Sequence, residues 1–243
     1  MNIAIIGLGL IGGSLALALK KAYPDYFIYG ISDKQSDMDT AVAKGYIDSG
    51  SLEYSQIIPK CDIIFIETPL GTIVDVAHKI IPYLKDGAIV TDGGSCKGIV
   101  YDIEPKMPQG TYFIGAHPMA GTENQGIAAV VDGLFNNAAY IHATTMHTNP
   151  EALGKLKSLL TPLNVRFYEL NPVEHDKIMA LISHLPIIAA AAITNIADDV
   201  DSQNPVLSQL VAGGFRDTTR VASGNITLGL DILLQNKKML SSI

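Results

Sequence analysis

The glycine pattern near the N-terminus constrains the fold of this chain more than any other feature of the sequence. Gly7, Gly9 and Gly12 follow an isoleucine-rich run at residues 2–6 and precede residues 14–21, which are rich in Leu, Ala and Lys. This order predicts a strand, a tight turn and a helix. In that context G-x-G-x-x-G is typical of a dinucleotide-binding turn, because glycines let a pyrophosphate approach the backbone at the helix N-terminus.

The residues expected to bind the dinucleotide lie at the carboxyl ends of predicted strands, where ligands bind in open parallel sheets. They are Gly7, Leu8, Gly9, Leu10, Ile11, Gly12, Ser32, Asp33, Thr68, Pro69 and Asp92. Asp33 ends the second predicted strand, so its carboxylate would accept hydrogen bonds from ribose hydroxyls and repel a 2′-phosphate. This favours NAD over NADP, although the neighbouring Lys34 partly offsets the repulsion.

Strand and helix patterns alternate through the first part of the chain and then stop. The alternation predicts an α/β fold with a doubly wound, mostly parallel Rossmann-type sheet over residues 1–170. Residues 171–243 show helical patterns only, and residues 173–197 are apolar almost throughout. A helical domain with so apolar a leading helix would leave apolar surface uncovered, so we expect a homodimer formed through these C-terminal helices.

Composition excludes several other classes of protein. The formal charge of −7, from 17 basic and 24 acidic residues, argues against a nucleic-acid partner. Cys61 and Cys96 have neither disulfide-scaffold nor metal-ligand spacing, so we expect no metal and a reducing cytoplasm. The apolar run at residues 3–19 has no preceding basic residue and contains four glycines, which favours a turn over a signal peptide or membrane span. We expect no other run long enough to cross a bilayer.

A histidine follows the strand predicted at residues 111–115, in the loop predicted at residues 116–121. Because the ordinary pKa of a histidine side chain lies near neutrality, His117 suits the base that takes the proton of an alcohol during hydride transfer. A single histidine in a loop is more often structural than catalytic. The residues around His117 therefore decide between the two roles. Ser95 follows the preceding strand, where it either caps a helix beginning near Cys96 or contacts the site, and the two roles are compatible.

Four motifs resemble those of the prephenate dehydrogenase family. They are DGGSCKG at 92–98, GAHPMAGTE at 115–123, SHLP at 183–186 and GGFRDTTR at 213–220. The motifs occur in the family's order and, with the glycine pattern, extend over nearly the whole chain. The resemblance implies an enzyme that carries out NAD-dependent oxidative decarboxylation of prephenate to 4-hydroxyphenylpyruvate in tyrosine biosynthesis, or the same chemistry on arogenate.

The resemblance also implies roles for individual residues. His117 would accept the proton of the ring hydroxyl, and Ser95 would hydrogen-bond that hydroxyl and orient His117. Arg220 would hold one substrate carboxylate, and Arg216 would share its helical face unless both form local salt bridges through Asp217. The other expected substrate residues are Thr122, Glu123, His175, Ser183 and His184. An acidic residue at the position of Glu123 would influence the choice between keto and amino side chains.

His175 and His184 raise a geometric question, because residues nine apart lie on nearly opposite faces of an ideal helix. A kink at Pro186 or a second subunit would be needed to bring both to one pocket. The chain departs from the family at Ile187, where many members have histidine, so one polar substrate contact is missing or supplied elsewhere. It also ends soon after residues 236–238, as a short or shortened member would.

Two other functions are compatible with the sequence. A hydroxyacid dehydrogenase with a helical C-terminal domain would use a lysine there, but Lys155, Lys157 and Lys177 lie in no recognisable catalytic motif. A dinucleotide-binding sensor without catalysis is favoured by Ile187 and the short C-terminal region. Cofactor-dependent turnover separates these functions.

Overall fold

The computed structural model describes residues 1–122, 124–203 and 206–243, so Glu123, predicted near the substrate entrance, lies outside the described residues. The chain divides into two compact units, Met1–His175 and Asp176–Ile243. Each unit is described by itself. The predicted boundary between residues 170 and 171 falls shortly before this division.

The first unit is built on one eight-stranded sheet. Its strands are β1 (Asn2–Ile6), β2 (Phe27–Ile31), β3 (Ser49–Ser51), β4 (Ile63–Ile66), β5 (Ile89–Asp92), β6 (Tyr112–Pro118), β7 (Ala139–Ala143) and β8 (Arg166–Leu170). They lie in the order β3-β2-β1-β4-β5-β6-β7-β8. Among the described strands only the β6–β7 pair is antiparallel. This confirms the predicted mostly parallel, doubly wound sheet.

Helices alternate with the strands of this unit, as the sequence predicts. They are α1 (Leu10–Ala22), α2 (Gln35–Ala43), α3 (Tyr54–Ile57), α4 (Ile73–Ile80), α5 (Val100–Ile103), α6 (Pro150–Leu160) and α7 (Pro172–Met179), the last crossing the division between the units. Sequence patterns did not indicate β3 or α3. β3 consists of Ser, Gly and Ser at the sheet edge, so it carries no apolar pattern that could have indicated a strand.

Strand β6 extends further than the sequence predicts. The predicted strand ends at residue 115, but β6 continues to Pro118 because its second half pairs antiparallel with β7, from Gly115 opposite Ala143 to Pro118 opposite Tyr140. Its first half pairs parallel with β5. The prediction that His117 lies in a loop is therefore wrong, since His117 lies on a strand opposite Ile141.

The core of this unit explains why its strands read as continuous apolar runs. Ile3 and Ile5 of β1 and Phe65 of β4 are fully buried, and helices α1 and α6 pack apolar side chains such as Leu19 and Leu156 into the same cluster. Parallel strands covered on both faces need this composition. The covered faces leave the carboxyl ends of β1, β2, β4 and β5 as the edge at which a ligand can approach the sheet.

The regular elements in the described residues of the second unit, 176–203 and 206–243, are all helical. They are α8 (Leu185–Asp201), α9 (Leu207–Leu210), α10 (Gly213–Thr219), α11 (Ile226–Gln235) and α12 (Lys237–Leu240). A π-helical segment, Ala180–His184, precedes α8, and Pro186 lies in the first turn of α8. Proline has no N–H to donate to the carbonyl four residues earlier. The wider turn of the π segment fits a helix in which that hydrogen bond is absent. The helix is thus altered just before Pro186 by a π segment, where the sequence suggested a proline kink.

Many large apolar side chains of the second unit are exposed in the single chain. They include Leu181, Ile182, Ile188, Ile196, Leu210, Ile226, Leu230 and Leu234. The helical run Pro172–Asp201 is also long and apolar enough to cross a membrane, judged by length and composition only. The expectation that no later run reaches this length is therefore wrong, but a core helix of a soluble protein passes the same test.

Candidate active site

The glycine-rich turn has the close packing that its spacing predicts. Gly7 has a φ of +96°, and a Cβ on it would lie 2.5 Å from the carbonyl oxygen of Glu67. A Cβ on Gly12 would lie 1.9 Å from the carbonyl oxygen of Gly7, whereas a Cβ on Gly9 would meet no atom within 4 Å. No side chain caps α1 at Gly9. The turn therefore leaves open backbone at a helix N-terminus, which fits the pyrophosphate of a dinucleotide.

The other residues predicted to bind the cofactor border this turn. The N–H of Gly7 donates to the carbonyl of Ile31 at 2.8 Å, which ties the turn to the end of β2. Ser32 and the exposed Asp33 follow directly. Leu8 has its side chain in the core, so only its backbone can face a ligand, while Leu10 and Ile11 are partly buried at the start of α1.

Thr68 and Pro69 follow β4 at the same edge. The Glu67 N–H donates to the carbonyl of Ile6 at 2.7 Å, so the segment after β4 starts beside the end of β1. Thr72 Oγ1 donates to the Pro69 carbonyl at 2.7 Å and lies 3.0 Å from Thr68 Oγ1. These bonds hold Thr68 and Pro69 beside the glycine-rich turn.

A buried ion pair fixes the segment after β5. Asp92 and Lys97 are both fully buried and form a salt bridge. The Asp92 carboxylate also accepts the N–H of Gly94 at 2.8 Å and of Ala116 at 3.2 Å, and Lys97 Nζ donates to the Ala116 carbonyl at 2.6 Å. Both backbone groups of Ala116, next to His117, are therefore bonded to this ion pair. The oxygens of Asp92 already have these protein partners. Its predicted contact with a cofactor stays a prediction.

Ser95 lies within the segment that the ion pair holds. It is half-buried, and the following helix α5 begins only at Val100 with Ile99 as its N-cap. The suggestion that Ser95 caps a helix near Cys96 is therefore wrong. Because β5 and β6 are parallel neighbours, Ser95 follows a strand end beside the strand that carries His117.

His117 is paired with a second histidine inside the first unit. Its Nδ1 lies 2.9 Å from Nε2 of His175, with ring centroids 5.1 Å apart and ring planes inclined by 62°. His175, on α7, is fully buried, and His117 is half-buried. A base whose second ring nitrogen is held in this way has a fixed ring orientation. His175, predicted as a substrate residue, is thus placed as the partner of His117.

In the second unit, His184 is held by the C-terminal helices. His184 is fully buried at the end of the π segment, and Asn236 Nδ2 lies 2.9 Å from its Nδ1. The same amide donates to the carbonyl of Asp176 at 2.8 Å. Asn236 therefore joins the end of α11 to α7 and to the last residue of the π segment. Ser183, beside His184, is half-buried.

The two arginines of the GGFRDTTR motif lie one helical turn apart, since the Arg220 N–H donates to the Arg216 carbonyl. Both side chains are exposed. Within residues 1–122, 124–203 and 206–243 neither forms an ion pair, so the alternative of salt bridging through Asp217 is not what the structure shows. Both guanidinium groups can therefore bind an anion. Thr122 is exposed and its Oγ1 accepts the N–H of Asn124 at 3.2 Å.

Two family models match consecutive parts of the chain. Residues 15–169 match "Prephenate dehydrogenase, nucleotide-binding domain", and residues 171–243 match "Prephenate dehydrogenase, dimerization domain". The chain belongs to the prephenate dehydrogenase family. The resemblance seen in the four sequence motifs is thereby confirmed.

Individual family members are similar over most of this chain. A prephenate dehydrogenase of Lactococcus lactis subsp. cremoris (strain MG1363) is 37% identical over 241 residues, which cover 98% of this chain and 66% of that protein. The chain likewise spans 64% of the length of a prephenate dehydrogenase of Bacillus subtilis (strain 168). This chain therefore spans slightly less than two thirds of the length of these curated relatives.

Two solved structures of high similarity add the fold comparison. A prephenate dehydrogenase from A. aeolicus, in complex with hydroxyphenyl propionate and NAD+, has a TM-score of 0.92 and 30% identity, covering 100% of this chain and 85% of that one. A Synechocystis arogenate dehydrogenase has a TM-score of 0.86 and 38% identity, covering 100% and 86%. Both support the observed order of a mostly parallel sheet followed by helices.

Three polar residues near the predicted site were not indicated by the sequence patterns; two of them are buried, and Glu67 is half-buried with its Oε1 shielded from solvent. They are Glu67, Lys97 and Tyr140. Burial, reinforced by the charge of Asp92, raises the pKa of Glu67 to about 8, while Lys97 acts in the opposite direction. Tyr140 is buried on β7, and burial together with Glu67 and Asp92 raises its pKa. Two features of the sequence could have indicated Glu67: it is a charged residue directly after the apolar strand β4, and a glycine, Gly93, directly follows the neighbouring strand β5.

Gly93 supplies the space that the Glu67 carboxyl group occupies. A Cβ on Gly93 would lie 1.9 Å from Oε2 of Glu67, so the flexible end of the Glu67 side chain must move in Gly93→Ala, and we expect the free energy of unfolding to fall by about 1 kcal/mol, the low end of overpacking costs. The double variant Glu67→Ala with Gly93→Ala should recover most of this loss, because the clash is removed. Urea unfolding of the wild type and these variants measures both effects.

Gly154→Ala is the matched control. Gly154 lies within α6, and a methyl group added there would meet no atom within 4 Å, so alanine at this position should stabilise the chain slightly. An unchanged unfolding midpoint for Gly93→Ala, or a double variant no more stable than Gly93→Ala alone, would contradict the packing of Glu67 against Gly93.

Proposed function

We propose that this chain is an NAD-dependent prephenate dehydrogenase, which converts prephenate to 4-hydroxyphenylpyruvate and carbon dioxide in tyrosine biosynthesis. The observation that carries the proposal is the pairing of His117 with His175 at 2.9 Å, on a strand of the sheet that carries the glycine-rich turn. Family membership supports it. The A. aeolicus relative, crystallised with NAD+ and hydroxyphenyl propionate, supports the choice of cofactor and of a ring substrate bearing a carboxylate.

The proposed chemistry uses His117 as the base. A bound nicotinamide supplies the hydride acceptor. His117 takes the proton of the ring hydroxyl, and its ring is kept in position by the bond to the buried His175. Ser95 hydrogen-bonds the same hydroxyl. Loss of carbon dioxide from the quaternary ring carbon follows because it produces an aromatic ring, so the protein need only begin the electron flow.

The remaining predicted residues bind rather than react. Asp33 would accept hydrogen bonds from the adenosine ribose, which favours NAD over NADP because its exposed carboxylate repels a 2′-phosphate. Arg220 would bind a substrate carboxylate through its planar guanidinium group, with Arg216 beside it. Thr122, Ser183, His184 and Glu123 are proposed as further substrate residues.

The deciding experiment mixes purified protein with NAD+ and prephenate and follows NADH by absorbance. Repeats with arogenate and with NADP+ test substrate and cofactor choice. Reduction of NAD+ with prephenate is expected. No absorbance rise with either substrate would overturn the enzyme proposal and favour a dinucleotide-binding sensor.

Arogenate is the second candidate substrate. It is favoured by Ile187, which stands where many family members have histidine, and by the 38% identity to a Synechocystis arogenate dehydrogenase. Arogenate differs from prephenate by an amino group in place of the keto oxygen of the side chain. The ratio of kcat/KM for the two substrates decides between them.

Arg220→Ala tests the binding of the substrate carboxylate. The variant is expected to raise KM for prephenate by about 10–100-fold, because a hydrogen bond to a charged group is lost. NAD+ affinity should stay the same. Steady-state kinetics with varied prephenate measures the change, and Arg166→Ala, a change at an exposed arginine of β8, is the control. A KM equal to that of wild type would rule out this role for Arg220.

A homodimer formed through the C-terminal helices is also proposed, in a cytoplasmic protein with neither a nucleic-acid nor a membrane partner. The match of residues 171–243 to a dimerization domain and the exposed apolar side chains of the second unit support the dimer. Cys61 and Cys96 are buried and not joined to each other, which suits a reducing compartment. Light scattering on the purified chain should give the mass of two chains.

A further inference from the structure

The carboxyl group of Glu67 lies between the glycine-rich turn and the segment after β5. The backbone of Glu67 approaches Gly7, and its Cβ would lie 3.1 Å from a Cβ on Gly12, so the residue packs directly against the turn. Its carboxyl group packs against Gly93 on the other side. Oε1 is shielded from solvent and has no hydrogen-bond partner in the part of the chain that the structure describes. A carboxyl group in such a place is costly to ionise.

Three ionisable groups interact with Glu67, from β5, from the segment after it and from β7. Asp92, at the end of β5, opposes its ionisation, and Lys97 favours it. Lys97, however, already forms the buried ion pair with Asp92, so its charge is largely balanced there. Tyr140 of β7 is buried and adds no charge near neutral pH, since its own pKa is raised. The glycine-rich turn contributes no ionisable side chain. With a pKa of about 8, Glu67 is mostly protonated at pH 7.

We propose that Glu67 determines the affinity for the dinucleotide, because its carboxyl group must carry a proton for a pyrophosphate to bind at the adjoining glycine-rich turn. The inference rests on the proposed function, and it assigns a cofactor-site role to a residue that the sequence did not predict to bind the dinucleotide. An ionised carboxylate beside the turn would repel the phosphates, and the shielding of Oε1 from water strengthens that repulsion. Dinucleotide binding is therefore coupled to the uptake of a proton at alkaline pH.

Titration calorimetry with NAD+ between pH 6 and pH 9.5 tests this coupling. For wild type, Kd should be constant at low pH and rise by about tenfold per pH unit once the pH exceeds the pKa of Glu67. For Glu67→Gln, which keeps the shape but not the titration, Kd should stay constant over the whole range. Glu151→Gln, at an exposed glutamate of α6, is the matched control and should follow wild type.

A second measurement does not depend on a variant. Calorimetry of wild type at pH 9 in buffers of different ionisation enthalpy should show the uptake of nearly one proton for each NAD+ bound. Two results would overturn this inference alone. One is NAD+ binding at pH 6.5 with no proton uptake on binding at pH 9. The other is an equal pH dependence of Kd in wild type and in a folded Glu67→Gln variant. Failure of wild type to bind NAD+ at any pH would overturn the proposed function together with it.

Discussion

Replacing His117 by asparagine is expected to lower kcat for prephenate oxidation by about 10²–10⁴-fold, the usual contribution of a positioned general base. Asparagine keeps a polar group of similar size on β6 but cannot accept the hydroxyl proton. NAD+ binding should be nearly unchanged, because the glycine-rich turn lies at the ends of other strands. Absorbance of NADH at saturating prephenate gives kcat, and calorimetry gives the NAD+ affinity.

His147→Asn is the control for this substitution. His147 is exposed in the segment after β7 and has no proposed role, so its variant should turn over at the wild-type rate. A His117→Asn enzyme with wild-type kcat would exclude His117 as the base. Loss of activity together with loss of NAD+ binding would instead indicate a folding defect and contradict the assignment of a purely chemical role.

Replacing Lys97 by methionine should lower the free energy of unfolding by about 3–5 kcal/mol, since breaking a buried ion pair leaves the other charge without compensation. In this chain the charge left behind is that of Asp92, which is fully buried. Methionine fills similar volume, so the loss reports charge rather than a cavity. Urea unfolding at pH 7 measures the change.

Two further variants separate the ion pair from its surroundings. Asp92→Asn combined with Lys97→Met should be more stable than Lys97→Met alone, because no buried charge remains. Lys21→Met removes the exposed pair with Asp132 and should change the free energy of unfolding by about 1 kcal/mol or less. If Lys97→Met and Lys21→Met lower the free energy of unfolding equally, the buried pair of Asp92 and Lys97 does not stabilise the fold as the structure indicates.

Local sequence signals were sufficient for most of the fold. The glycine spacing, the apolar run before it and the alternation of strands and helices depend on turn chemistry and periodicity over a few residues. Such signals predicted β1, β4 and β7 with their observed bounds. They failed for β6, because its last residues are extended only through pairing with β7, which lies more than twenty positions later.

The candidate site was predicted less completely than the fold. The motifs indicated His117, Ser95 and the arginines, but the bond between His117 and His175 joins residues 58 positions apart. The packing of Glu67 against Gly93 and the burial of Lys97 beside Asp92 likewise depend on neighbouring strands. Contacts of this kind arise from tertiary packing, so no pattern in a short window of sequence reports them.

Strand β6 exchanges one neighbour for another halfway along its length, parallel to β5 first and antiparallel to β7 afterwards. The imidazole of His117 is consequently mounted on backbone that belongs to the sheet, and its amide should be among the slowly exchanging ones in hydrogen–deuterium exchange. Any opening and closing that accompanies turnover would then take place around the base, while the base itself stays still.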